Sequence, residues 1–220
     1  MIIHRNNIVS SIQNIDTLVF DYGGVIVNID DSKVAAAMTG LGVSRFKQFL
    51  HAKEIKRLIH QFIDGIVPTE DTLTEILGHC RKDATRDELL DILNELCGNL
   101  PVSRLEMLSQ LRQKYKVYLL SNISDILWEN SIQQIKSCGF QPQDCFDDFF
   151  LSYRMGVAKP DASIYRKMMA QAYINPAATL YFDDRKDNYE AGKALGFNAV
   201  LVKTNHIEAT EAWQWLRSSI

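Results

Sequence analysis

The sequence predicts an α/β fold: a parallel sheet flanked by helices, with a helical segment inserted near its start. Three observations carry this. Five short apolar runs, Thr17–Phe20, Val117–Leu120, Phe149–Leu151, Leu180–Phe182 and Ala199–Val202, have strand length and suit strands buried on both faces. Helical patterns lie between the later runs, and strand–helix alternation implies parallel crossover units. The stretch from about Asp31 to about Asn99 has helical spacing but no convincing strand.

Taken in order, the first run ends at Asp21 and the chain then enters the helical stretch. Val34–Met38, Arg45–Phe49, Ile55–Ile63, Thr69–Leu77 and Arg86–Leu96 show helical apolar spacing, and Thr69 after Pro68 suits a helix start. Pro101 opens the return, followed by an amphipathic helix through Arg112. Ser124–Ser137 carries Ile126, Leu127, Ile132 and Ile135 at helical spacing, and Ala162–Tyr173 carries Ile164, Tyr165, Met168 and Met169. Asn188–Leu195 predicts a shorter helix stopped by Gly196. The expected division is a core of residues 1–30 and 100–220 with an insert of residues 31–99. Phe46, Phe49, His51, His60 and Phe62 are the insert residues with the reach to face the core, although packing or surface roles explain each one.

The 220 residues are 46% hydrophobic and 23% charged, an ordinary globular balance. A net charge of −3, with charges interspersed, argues against nucleic acid as a partner. Cys80, Cys97, Cys138 and Cys145 have no C-x-x-C spacing and are too few for a disulfide scaffold. No stretch has the length of a signal peptide's apolar region or a membrane span. The expectation is a cytoplasmic protein without a membrane partner, monomeric or homodimeric. Trp128, Trp213 and Trp215 are read first as core or terminal-helix packing.

Four segments carry chemistry. In Val19-Phe20-Asp21-Tyr22-Gly23-Gly24-Val25 a carboxylate follows a strand and precedes two glycines, which permit a tight turn and close ligand approach. Such an Asp can attack an electrophile, or can simply cap a turn. In Leu119-Leu120-Ser121-Asn122-Ile123-Ser124-Asp125, a hydroxyl and a backbone N–H at a strand end can hold an anionic oxygen, or serve as an ordinary helix cap. Lys159, held before Pro160, can offset charge between a carboxylate and a phosphate, or lie in solvent. In Leu180-Tyr181-Phe182-Asp183-Asp184-Arg185-Lys186-Asp187-Asn188, two adjacent acids after an apolar strand are costly unless their charge is used. A hard cation such as Mg2+ prefers such oxygen ligands.

In chain order these segments closely resemble the four motifs of the haloacid dehalogenase-like hydrolase superfamily, over most of Asp16–Val202. The resemblance implies a Rossmann-like core, with the insert as a helical cap. It implies Asp21 as the nucleophile that forms an aspartyl-phosphate, Ser121 as the phosphate-binding hydroxyl with Asn122 as a nearby polar contact, and Lys159 as the lysine that steadies nucleophile and phosphate. Asp184 is similar to the acidic metal ligand, with Asp183 in support and Asn188 ordering the loop. Mg2+ would then be held by Asp21, the Gly23 carbonyl and Asp184. The implied activity is Mg2+-dependent hydrolysis of a small phosphorylated metabolite, such as a sugar phosphate.

One position departs from the pattern. Phosphatases of this type carry a second Asp two residues after the nucleophile, as general acid and base, where this chain has Gly23. General acid–base help is worth about 10²–10⁴ in rate. Three explanations follow: a proton carrier from elsewhere, with Asp30, Asp31 and Tyr22 near in sequence; a good leaving group, such as an anomeric phosphate; or weak turnover. Relatives with Gly here resemble sugar-1-phosphate phosphatases. The alternatives are a 2-haloacid dehalogenase, which does without that Asp and without metal, and a catalytically weak phosphate-binding protein. The pair Asp183-Asp184 argues for metal and phosphate.

Overall fold

The structure is a computed structural model that describes residues 14–43, 57–58, 60–62, 64–94 and 98–220. The predicted α/β class is what it contains. Strands β1 (Thr17–Phe20), β2 (Lys116–Ser121), β3 (Asp148–Leu151), β4 (Thr179–Asp183) and β5 (Asn198–Leu201) form one parallel sheet in the order β3-β2-β1-β4-β5. The register sets Phe20 beside Leu119 on one side and Phe182 on the other. The strand order reverses direction at β1. In open parallel sheets ligands bind at such a switch point, beyond the carboxyl ends of the strands.

Strand side chains alternate between the two faces, and both faces are covered. Leu18, Phe20, Leu119, Leu180 and Phe182 pack with residues of α4 (Val102–Leu111), α5 (Asp125–Ser137) and the C-terminal helix α10 (Glu211–Ser218). Val19, Tyr118, Leu120 and Tyr181 pack with Ile164, Tyr165 and Met168 of α8 (Ala162–Ala172), beside α9 (Lys186–Ala194). Two four-residue helices, α6 (Pro142–Cys145) and α7 (Ser152–Met155), flank β3. Trp128 and Trp213 are core residues, and Trp215 packs partly against that core.

Helices α1 (Asp31–Gly40), α2 (Thr69–Leu77) and α3 (Arg86–Asn94) follow β1. Met38, Leu41, Leu73, Ile76, Leu89 and Ile92 form a hydrophobic cluster distinct from the two that cover the sheet. Acids Glu70 and Asp71 stand in the first turn of α2, where the helix dipole favours them. The chain leaves and rejoins the sheet at a crossing where the Asn28 N–H donates to the Asn99 carbonyl at 2.9 Å. A Cβ on Gly98 would lie 2.4 Å from the Asn28 carbonyl oxygen, so this crossing requires glycine. The Arg45–Phe49 helix, along with Phe46, Phe49 and His51, lies outside the described residues. Among the described residues no helix is long and apolar enough to cross a membrane.

Candidate active site

Asp21 stands one residue past β1, and its N–H donates to the Phe182 carbonyl at 2.9 Å, so the sheet ladder itself sets its height. Lys159 lies between Asp21 and Asp183, the last residue of β4. Its Nζ is 3.0 Å from Asp21 Oδ1 and 2.7 Å from Asp183 Oδ2. One oxygen from each of Asp21, Asp183 and Asp184 falls within 4.8 Å of the others. Segments separated by some 160 residues of sequence therefore meet at the switch point.

The surroundings of Asp183 separate it from its neighbour. Its Oδ2 accepts from Lys159, from the Tyr181 hydroxyl at 2.6 Å and from Asn188 Nδ2 at 3.2 Å. Its Oδ1 accepts from the Arg185 N–H at 2.9 Å and Asn188 Nδ2 at 3.1 Å. This carboxylate is fully buried and saturated with donors. Asp184 is half-buried, and its Oδ2 accepts from Thr204 Oγ1 at 2.8 Å. It rests directly on Gly24, where a Cβ would come within 2.3 Å of Oδ2, and Gly24 has a left-handed φ of 74°.

Asn122 uses both ends of its amide on the backbone of Lys159: Nδ2 donates to the Lys159 carbonyl at 2.7 Å and Oδ1 accepts its N–H at 2.8 Å. What this side chain contributes is the placement of Lys159. Ser121 is buried at the end of β2, and the next turn is held by Ser152, whose Oγ bonds the Ile123 N–H and carbonyl. Of the residues near Gly23, Tyr22 is buried with its ring against Trp128 and Asp30 is half-buried, while the Asp31 side chain lies outside the described residues.

The electrostatics are those of a site short of positive charge. Burial raises the Asp21 carboxyl to about 7, against the pull of Lys159 and with Asp183 and Asp184 adding to the rise. Burial also raises Asp184, opposed by the Thr204 hydrogen bond. Lys159 is also raised, but by charge and not by burial: burial works against its charge, and Asp183 and Asp21 outweigh it and hold the ammonium above its usual range. Lys159 pairs with Asp21 and Asp183 and leaves Asp184 without a cationic partner among the described residues, and the donor set is all oxygen, which suits a hard divalent cation.

Sequence reasoning missed several residues that shape this site. Arg104 of α4 is buried and forms two bonds to Glu208, at 2.6 and 3.0 Å. It also donates at 3.0 Å to the Val25, Ile26 and Asn205 carbonyls and to Asn28 Oδ1. Thr204, Asn205 and Tyr181 were missed as well. Tyr181 alone had a local signal, since it shares a strand with Asp183 at a spacing of two and so points to the same face.

A five-stranded parallel sheet with an Asp, a Lys and an acidic pair converging at its carboxyl edge defines an α/β enzyme with a carboxylate-centred site. Residues 15–196 match the family model of the haloacid dehalogenase-like hydrolases. The chain belongs to that family and is a hydrolase. It is 30% identical over 185 residues to a D-ribitol-5-phosphate phosphatase of Bacteroides thetaiotaomicron, covering 83% of this chain and 89% of that protein. Among solved structures it is similar to a family enzyme from the same organism in complex with magnesium and inorganic phosphate. That match has a TM-score of 0.76 at 26% identity and covers 87% of this chain and 96% of the other. The L-2-haloacid dehalogenase of Xanthobacter autotrophicus shares the fold, with a TM-score of 0.58 at 20% identity over 86% and 77% of the two chains.

Proposed function

We propose that this hydrolase cleaves a small phosphate monoester, of the sugar or polyol phosphate class, with Asp21 as nucleophile and Mg2+ as cofactor. The observation that carries the reading is a cluster of three carboxylates in which Lys159 pairs with only two, Asp21 and Asp183. A dianionic substrate entering such a site needs more positive charge than Lys159 supplies. The phosphatase relative and the magnesium–phosphate complex of a family enzyme support the same assignment.

The residues present fit the ion. Asp21, Asp184 and the carbonyl of Gly23 are the groups we assign to Mg2+; Asp183 already spends its oxygens on Lys159, Tyr181, Asn188 and the Arg185 N–H. When bound, Mg2+ supplies charge neutralisation at the transferring phosphoryl group. The Tyr22 N–H, at 2.7 Å, and Lys159 both engage Asp21 Oδ1, which leaves Oδ2 to attack phosphorus. As the Oδ2–phosphorus bond forms, the ester P–O bond breaks and its electron pair goes to the leaving alkoxide, which takes a proton from solvent, while Ser121 holds a phosphoryl oxygen. Water then cleaves the aspartyl-phosphate and restores Asp21. Lys159, fixed by Asn122 and Asp183, lowers the repulsion between carboxylate and phosphate. The insert of residues 31–99 serves as the cap that excludes water and selects the leaving group. Gly23 provides no proton donor, so within this class anomeric sugar phosphates are favoured, whereas a polyol phosphate needs its proton from solvent or from another group.

The test is phosphate release from a panel of sugar and polyol phosphates, with Mg2+ and with chelator, for wild type and Asp21→Asn. Release that needs both Mg2+ and Asp21 is the expected result. Equal release by Asp21→Asn refutes the nucleophile. Metal-independent halide release from a 2-haloacid, without phosphate release, would assign the site to dehalogenation.

A further inference from the structure

The loop after β5 has no part in the reaction described above, yet it touches several parts of the site. Thr204 Oγ1 donates to Asp184 Oδ2 at 2.8 Å. The next residue, Asn205, donates its N–H to the Gly24 carbonyl at 2.7 Å. The Asn205 side chain then pairs with the backbone of Ile29 in both directions: Oδ1 accepts the Ile29 N–H at 2.8 Å and Nδ2 donates to its carbonyl at 2.9 Å. An amide side chain here does what a neighbouring strand would do. It is aimed by a left-handed backbone, φ 68°, a conformation that asparagine tolerates better than most residues. Arg104 bonds the Asn205 carbonyl from below at 3.0 Å.

These contacts join three things that must agree in a working site: the carboxylate assigned to the cation, the loop after the nucleophile, and the strand of chain that leads into the helical insert. We infer that Thr204 and Asn205 are positioning residues of this site, Thr204 setting the orientation of the Asp184 carboxylate and Asn205 clamping the linker at Ile29 to the same loop. The inference rests on the reading of Asp184 as a cation ligand. A carboxylate on Cγ rotates freely unless something ties one oxygen; with Oδ2 tied to Thr204, Oδ1 is the oxygen left to turn toward the cluster. Hydrogen bonds to ligating carboxylates commonly govern metal affinity by this route. Neither residue touches the reacting atoms, so their effect is on placement.

Two measurements on the whole protein without substrate test this. The first is Mg2+ binding by titration calorimetry for wild type, Thr204→Val, Thr204→Ser and Asp184→Ala. Valine keeps the shape and removes the hydroxyl; serine keeps the hydroxyl. Thr204→Val should bind Mg2+ about tenfold more weakly, with its melting temperature in chelator lowered by no more than a few degrees, and Thr204→Ser should bind as wild type does. Wild-type affinity in Thr204→Val, or equal loss in Thr204→Ser, overturns the role of Thr204. Asp184→Ala separates that failure from failure of the site reading: wild-type affinity there means that Asp184 is not a ligand at all. The second is amide hydrogen exchange in Asn205→Ala. The Ile29 amide should exchange about tenfold faster or more, while Leu18, Val19 and Phe20 keep their protection. Unchanged protection at Ile29 overturns the clamp.

Discussion

Adjacent glycines in the loop after Asp21 should respond oppositely to the same methyl group. Gly24 has a φ of 74°, where an L side chain costs about 1–2 kcal/mol. Its Cβ would also stand 2.3 Å from Asp184 Oδ2, 2.8 Å from Asp184 Cγ and 3.1 Å from Thr204 Cγ2. Relief requires the carboxylate to move by about an ångström, away from its Thr204 hydrogen bond, which is worth roughly another 1–2 kcal/mol. A loss of about 2–4 kcal/mol corresponds to a melting temperature lower by about 5–15 °C in a protein of this size. Gly23 has an ordinary φ, and its Cβ would meet only Ile29 Cγ2, at 3.5 Å. Alanine there should be neutral or stabilising by up to about 1 kcal/mol, because it restricts the unfolded chain. The Cβ of an aspartate meets no closer contact than that of alanine, so Gly23→Asp should speed phosphate release from esters with poor leaving groups, by about 10² if the carboxyl reaches the leaving oxygen. Thermal melts with and without Mg2+ measure the first pair, and initial rates on a primary alkyl phosphate measure the third. If Gly23→Ala and Gly24→Ala lose equal stability, the account of this loop is wrong.

Arg104→Met should cost about 3–5 kcal/mol in urea unfolding, since it strips the donors from the Val25, Ile26 and Asn205 carbonyls and leaves Glu208 without its partner; a loss under 1 kcal/mol would mean that water replaces the guanidinium freely. Asp183→Asn should lower kcat by disturbing Lys159 while Mg2+ affinity stays within about threefold, whereas Asp184→Asn should lose about tenfold or more in affinity; equal losses in calorimetry would make Asp183 a ligand as well. In chelator, the raised Asp21 carboxyl stabilises the fold fully below its ordinary value near 3.8, and that contribution is lost as pH rises through about 7. Urea midpoints should therefore fall across that window in wild type and fall less in Asp21→Asn, and an equal slope in both would remove Asp21 as the cause.

The centre of the sheet was legible because β1, β2 and β4 are runs of buried apolar residues that lead into a polar residue at the sheet edge. Strand limits were less legible, since Lys116, Asp148 and Thr179 join the ladder through backbone bonds that leave no hydropathy signal. The acids and Lys159 were visible because charge directly after a buried strand is unusual. Arg104 was not, because one arginine on an amphipathic helix reads as a solvated face, and its partners lie 76 to 104 residues away along the chain. Asn205 was hidden for the same reason, with 176 residues between it and Ile29. Asn122 was visible, but its role was not: a strand-end amide reads as a ligand contact until Lys159 is seen lying across it.

The donor sets around the two adjacent acids are what turn a shared fold into a particular chemistry. A family fold is common to phosphatases and dehalogenases, so it does not choose between them. The choice comes from how charge is balanced. Were Lys159 the only positive group the site used, Asp183 and Asp21 would already consume it, and Asp184 would be a half-buried carboxylate tied to Thr204 but to no cation among the described residues, raised by burial and resting on a glycine that leaves room for nothing larger. Such an arrangement is costly to maintain for attack on a neutral carbon, where added negative charge nearby gains nothing. It is what attack on a phosphate requires, because a cation held as proposed by Asp21 and Asp184 would meet the charge of the incoming group as well. The excess of acid at the edge of β4 is thus the structural reason to read this hydrolase as metal-dependent, and the Gly23 departure then concerns its leaving group rather than its electrophile.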